Sequence, residues 1–173
     1  RKLRPGERFK LTAAADSDWR GCVETSKSTG GHLVALNKQL ILWTSKILPG
    51  NVKMSSTEAE YIQHSLCARD LQFFQRLHEF IANYDARYAL EPGPMEIKED
   101  NKGCFDLVEG GANSKKIRHL QHHEHLGREL EEEGVIKTKK VATGEQDADI
   151  FTKPAPSRQK IEKALHEYNL DIR

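Results

Sequence analysis

Small apolar residues fill positions 11–15 and run directly into Asp16, Ser17 and Asp18, the pattern of a short buried strand ending in carboxylates. Positions 32–36 and 40–44 form two further β-like runs, with Asn37-Lys38 as a tight turn between them. The polar stretch 21–31, with Gly30-Gly31 at its end, reads as the connection before them. Together these segments predict an antiparallel meander. Ser55 and Glu58 have the spacing of a helix-capping box. Behind them Ala59, Ile62, Leu66, Phe73, Leu77 and Phe80 recur at helical spacing as far as Ile81. Glu91-Pro92-Gly93-Pro94 cannot stay helical and predicts a loop. Positions 95–98 predict a short strand that again ends in acid, at Glu99-Asp100. A short helix over 102–108, a polar helical stretch over 115–133 and a half-exposed strand over 135–141 follow. A short helix at 147–151 and an amphipathic helix over 158–168 close the chain. The dominant order is β-β-β-α-β-α-β-α, an α/β pattern.

A length of 173 residues suits one domain with a real core. Charged residues make up 31% of the chain, but 27 basic against 26 acidic side chains leave a net charge of +1. That balance argues against disorder by self-repulsion and against nucleic-acid binding by bulk charge. Any such binding must come from a local patch. Cys22, Cys67 and Cys104 are far apart and in no CxxC spacing, so they read as reduced thiols of an intracellular protein. No apolar run reaches the length of a membrane span, and the amino terminus lacks a signal-peptide core. The chain starts at Arg1, which predicts a piece of something longer. Residues 1–10 are basic and broken by Pro5-Gly6, and read as a tail or linker from an upstream region.

Three acids stand where strand or helix ends could converge: Asp16, Asp100 and Asp149. A fourth, Glu60, lies in the first turns of the long helix. Taken singly, each is better read as a cap, turn or surface residue. Meeting at one point, they would repel unless a divalent cation neutralised them, and oxygen ligands select Mg²⁺ or Mn²⁺ over zinc.

Six stretches carry a resemblance. They are Asp16-Ser17-Asp18-Trp19, Lys27-Ser28-Thr29-Gly30, Trp43-Thr44-Ser45-Lys46, Ser55-Ser56-Thr57-Glu58-Ala59-Glu60-Tyr61, Glu99-Asp100-Asn101 and Ala148-Asp149-Ile150-Phe151-Thr152-Lys153-Pro154. In this order the chain resembles the ribonuclease H domain of copia-type (pseudoviral) LTR retrotransposon polyproteins, from about Leu11 to Leu170. The resemblance implies a ribonuclease H-like α/β fold, a mixed five-stranded sheet with strands 1–3 antiparallel, flanked by helices. The domain would span 11–153, with the terminal helix of 154–173 packed on it.

The resemblance also implies a metal site of Asp16, Glu60, Asp100 and Asp149, which are at once the catalytic residues and the ligands of two Mg²⁺ or Mn²⁺ ions. Asp16 would bridge both ions, Asp149 would complete the ion that activates water, and Glu60 and Asp100 would hold the ion at the leaving 3′ oxygen. Ser45, Lys46, Ser56, Asn101, Arg118 and His119 are the expected substrate contacts. Among neighbouring acids, Asp18 reads as a turn residue or as one that supports the ligands from behind, Glu58 as a cap and Asp147 as an N-cap. Glu99 should face away from Asp100 on a strand, and its burial would be awkward.

Some positions depart from the family pattern. Over 116–126 His119 and His125 are kept, while Gln121 and His123 replace a family aspartate and arginine. The loop 141–145 lacks the mobile histidine of cellular ribonucleases H. His119, His122 and His123 have helical spacing for a shared metal, but no cysteine or carboxylate at ligand spacing joins them, which speaks against zinc. The lysine groups at 115–118 and 137–140 read equally as phosphate contacts or as a solvated face. Trp19 and Trp43 flank strand ends and read as core.

The implied function is an endoribonuclease that cuts the RNA strand of RNA–DNA hybrids by two-metal hydrolysis, beside a reverse transcriptase domain in the same polyprotein. It would act inside the cell, in a cytoplasmic virus-like particle and in the nucleus, with no membrane partner. One alternative is a captured, catalytically silent domain that binds nucleic acid or protein. Another is a different nuclease or an integrase on the same fold.

Overall fold

Asn37 and Lys38 both take positive φ, 50° and 63°, the left-handed pair that lets a two-residue turn match the twist of its strands. That turn joins β2 (Thr29–Leu36) to β3 (Gln39–Ile47), and β1 (Leu11–Asp18) pairs with β2 on its other side. The computed structural model describes residues 8–22, 24–50, 53–110, 117 and 119–169. After β3 come α1 (Ser56–Ala82), β4 (Met95–Glu99), α2 (Lys102–Val108), α3 (Leu126–Glu132), β5 (Ile136–Lys140) and α4 (Arg158–Glu167). The sheet order is β3-β2-β1-β4-β5, with β1, β2 and β3 antiparallel and β4 and β5 parallel to β1. This is the mixed five-stranded sheet expected.

Gly30 and Gly31 lie within β2, not before it. A Cβ at Gly30 would meet the Gln63 side chain on α1, and one at Gly31 would meet Phe151 Cβ at 2.8 Å on the opposite face. The two glycines let layers on both faces approach the strand closely. Leu11, Ala13, Ala15, Ala68, Leu71 and Ile97 fill the core between the sheet and α1. Ala14, Leu33, Ala35, Ala148 and Tyr168 fill the opposite face.

The helix over α1 starts as its sequence predicts: Ser55 accepts from the Glu58 N–H at 3.1 Å. Glu58 reaches back one residue further than a capping box requires and accepts from the Met54 N–H. In the second half of α1 the apolar stripe turns outward. Phe73, Leu77 and Phe80 are exposed, while Leu71 and His78 face inward. The polar stretch read as one helix holds, in its described part, a 3₁₀ turn at His122–His125 and the short α3. Phe9, at the end of the segment read as a tail, bridges Leu90 and stacks on Tyr88. Among the described residues no helix is long and apolar enough to cross a membrane.

Candidate active site

Asp16 is carried to the site by the end of β1, Glu60 by the second turn of α1, and Asp100 by the residue after β4. One carboxylate oxygen from each of the three lies within 4.8 Å of the others. Two causes act on these groups. Burial pushes the Asp16 carboxyl up to about 6, opposed by its hydrogen bond with Thr152 and reinforced by the charges of Asp100 and Asp149. Burial also holds Glu60 well above the ordinary carboxyl range, with Glu99 and Asp16 adding to it. Glu60 Oε2 is buried with no hydrogen-bond partner. Converging oxygen donors, one of them buried and unpartnered, fit a hard divalent cation.

Asp149 stands beside this trio, in the 3₁₀ helix Asp147–Phe151, but outside the group of three. The Gln146 amide donates to the Ala15 carbonyl at 2.8 Å and ties the helix to β1. The Thr152 hydroxyl bonds Asp16 and lies 3.1 Å from the Asp149 carbonyl oxygen. Both carboxylate oxygens of Asp149 face lysines: Lys153 at 3.6 Å and Lys160, from α4, at 2.5 Å. Asp147 is not an N-cap. Its buried carboxylate accepts from Lys98 at 2.6 Å and from the Tyr168 hydroxyl at 2.7 Å, and Gln146 caps the helix instead.

Four neighbours received no role at the site from the sequence. Glu99 is fully buried, accepts from the Asn101 N–H at 2.9 Å, and leaves Oε2 unpartnered. Burial pushes its carboxyl up to about 8. Thr152 and Lys153 stood inside a quoted motif but with no role assigned. Lys160 carried no local signal, because only tertiary packing brings α4 to Asp149.

Known proteins resemble this chain in sequence and in fold. The retrovirus-related Pol polyprotein from transposon RE2 of Arabidopsis thaliana is 31% identical over 152 residues, 88% of the chain. The corresponding polyprotein from transposon TNT 1-94 of Nicotiana tabacum is 28% identical over the same length. The chain belongs to the copia-type retrotransposon Pol family. This Pol segment spans 10% and 11% of the length of those two relatives. No protein-family model matches it. Among solved structures it is similar to LC11-RNase H1 in complex with an RNA/DNA hybrid, with a TM-score of 0.53 and 16% identity, covering 90% of this chain and 99% of that one. It is also similar to the N-terminal RNase H domain of a Mycobacterium tuberculosis protein, at TM-score 0.51 and 12% identity, covering 92% and 96%. The fold is that of ribonuclease H.

The expected substrate contacts of the Pol segment lie on separate elements and not on one face. Ser45 is exposed and shares the sheet row Asp16–Gly31–Ser45. Lys46, one residue on, belongs to the α1 face, beside His32, Gln63 and Asp70. Ser56 is exposed one helical turn before Glu60. The Asn101 side chain is engaged as the cap of α2 and accepts from the Cys104 N–H. His119 is half-exposed, 3.6 Å from Glu58. Arg118 lies outside the described residues. Of the other histidines, His122 faces Glu129 at 3.7 Å, and His125 Nδ1 pairs with the Tyr61 hydroxyl at 3.0 Å. Trp19 and Trp43 are not core residues, being 41% and 59% exposed.

Proposed function

We propose that this segment is a metal-dependent endoribonuclease that hydrolyses the RNA strand of RNA–DNA hybrids. The observation that carries the reading is the convergence of Asp16, Glu60 and Asp100 from three separate elements of a ribonuclease H fold. Asp16, Glu60 and Asp100 would hold Mg²⁺ or Mn²⁺, with Asp149 as a fourth ligand once it leaves its lysines. The metal would supply charge neutralisation at the scissile phosphate and a more acidic water. The chain's own residues provide the framework. Thr152 fixes the orientation of Asp16, and Gln146 keeps the 3₁₀ helix against β1. Lys153, 3.8 Å from Asp18 and 3.6 Å from Asp149, adds positive charge at the mouth of the site. Ser45, in the sheet row of Asp16, and Ser56, one helical turn before Glu60, are exposed and would meet the phosphate backbone, and His119, 3.6 Å from Glu58, would join them. Specificity for RNA over DNA would rest on contacts to 2′-hydroxyls. A reverse transcriptase domain in the same polyprotein would deliver the hybrid, inside a cytoplasmic particle.

The test is a hybrid labelled on its RNA strand, incubated with the protein and Mg²⁺ or Mn²⁺. Products with 3′-hydroxyl and 5′-phosphate ends are expected, with single-stranded RNA and duplex DNA intact. Cutting of all three substrates alike, or 2′,3′-cyclic ends, would overturn the reading. One observation favours a silent binding module: both oxygens of Asp149 are engaged by lysines. That reading predicts hybrid binding with no cleavage at any metal concentration.

A further inference from the structure

Trp43 sits on the edge strand β3, with Ser45 and Ile47 on the same face by the alternation of the strand. The pairing register puts Asp16, Gly31 and Ser45 in one row across the sheet, and Ala14, Leu33 and Trp43 in the next row on that face. Trp43 and Asp16 are therefore two strands and two residues apart, roughly 12 Å between Cα atoms by ordinary sheet spacings. Phe151 lies between them. It sits against Gly31, where a Cβ would meet its own Cβ at 2.8 Å, and it follows Asp149 by two residues. Its ring stacks on the Trp43 indole, 5.6 Å between centroids and 11° from parallel. The stack covers one face of the indole, yet Trp43 remains 59% exposed. An indole held rigid by a neighbour, with its other side open, can take a third flat ring at little entropic cost.

We infer that the Trp43–Phe151 pair stacks an unpaired nucleobase at a single-strand junction beside the acidic site, so that it recognises hybrids with a single-stranded extension. This rests on the hybrid-nuclease reading for the site itself. The occupant follows from what an open indole face can accept next to that site. Within a duplex both faces of every base are covered by their neighbours, and only an end or an unpaired stretch offers a free base. The separation from Asp16 equals the rise of about three to four stacked nucleotides. The junction would then lie within a few nucleotides of the phosphate at the acids.

The test uses a Trp19→Phe, Glu60→Gln background, which leaves Trp43 as the single tryptophan and removes hydrolysis. Two probes are titrated: a blunt RNA–DNA hybrid, and the same hybrid with a short single-stranded extension. The extended hybrid is expected to quench Trp43 emission and bind more tightly than the blunt one. Trp43→Ala, followed by end-label anisotropy, should lose about fivefold or more in affinity for the extended hybrid, the low end of a base–aromatic stack, and little for the blunt one. Trp43→Phe should restore most of the loss, and melting curves show whether each variant is folded. If wild-type protein cuts blunt hybrid while Trp43 emission and the Trp43→Ala affinities do not separate the probes, the stacking inference falls. If wild type cuts neither hybrid while the extended hybrid still quenches Trp43 and binds more tightly than the blunt one, the stacking inference stands and the hybrid-nuclease reading falls. Equal loss for both probes in a folded Trp43→Ala would place the tryptophan on the duplex and overturn the junction role.

Discussion

Lys160 on α4 holds the Asp149 carboxylate at 2.5 Å, so the terminal helix closes over the acid that would complete the metal site. Lys160 and a divalent cation compete for the same oxygen. Lys160→Met should lower the stability of metal-free protein, by about 1 kcal/mol for a pair whose lysine is one-third exposed. It should also enlarge the rise in melting temperature on adding Mg²⁺ or Mn²⁺, because metal binding no longer displaces a bonded lysine. Melting curves in EDTA and in metal give both numbers. An unchanged metal-induced shift would mean that Asp149 takes no part in binding.

Asp100 contributes charge to a site that already contains the buried Asp16 and Glu60. Asp100→Asn removes one repelling charge and nearly preserves shape. Cleavage in Mg²⁺ should vanish, while the melting temperature in EDTA stays level or rises. Wild type should gain more stability from metal than the variant. A variant that melts earlier in EDTA and still cuts hybrid would make Asp100 architectural.

Gly31 holds the site together from below. In Gly31→Ala the new methyl would stand 2.8 Å from Phe151 Cβ and 2.9 Å from Thr152 Cγ2, so the 3₁₀ helix must lift from the sheet. Overpacking of this kind costs about 1–3 kcal/mol. Hydrolysis should fall more steeply than stability, since Thr152 and Asp149 move together. Comparing turnover with the unfolding midpoint of the same preparation separates the two effects, and a parallel loss would reduce Gly31 to packing alone.

His64 makes the stability depend on pH. It is fully buried on α1, with Nε2 3.0 Å from the Thr138 hydroxyl and Nδ1 unpartnered. Burial lowers it from 6.5 to about 4, opposed by the charge of Glu131. Between those values the unfolded chain binds a proton that the folded chain refuses. The His64 contribution is thus intact above pH 6.5, falls as the pH drops, and levels off below about 4. The loss at pH 5 should be roughly 2 kcal/mol. The raised carboxyls of Asp16, Glu60 and Glu99 act in the opposite sense, so the comparison must be with His64→Gln. Urea unfolding at pH 7 and pH 5 should show a change in stability on acidification that is more favourable in the variant than in wild type by roughly 2 kcal/mol.

The strands ending in acid, the Asn37-Lys38 turn and the Ser55 cap were legible in the sequence because each rests on a local rule: side-chain alternation, left-handed φ, or an unsatisfied N–H. The resemblance of its motifs to those of a known family is what named Asp16, Glu60, Asp100 and Asp149. What those motifs left open was who stands next to whom. Glu99 read as an awkward strand residue, and only the packing of β4 under α1 shows it fully buried and adding to the shift of Glu60. Phe73, Leu77 and Phe80 have the spacing of a buried stripe, yet they face outward, because helical periodicity defines a face without saying what covers it. Trp43 read as core for the same reason. A strand pattern tells which side a residue takes, but its burial depends on whether another layer reaches it, and at the β3 edge Phe151 covers only one side of the ring. The sequence by itself determined the strands, the Asn37-Lys38 turn and the start of α1, since these follow from interactions within a few residues, while the four acids came from the resemblance to a family. Tertiary structure alone decided the Lys160 clamp on Asp149, the Thr152 bond to Asp16 and the Trp43–Phe151 stack, since each joins residues 11 or more positions apart in the chain.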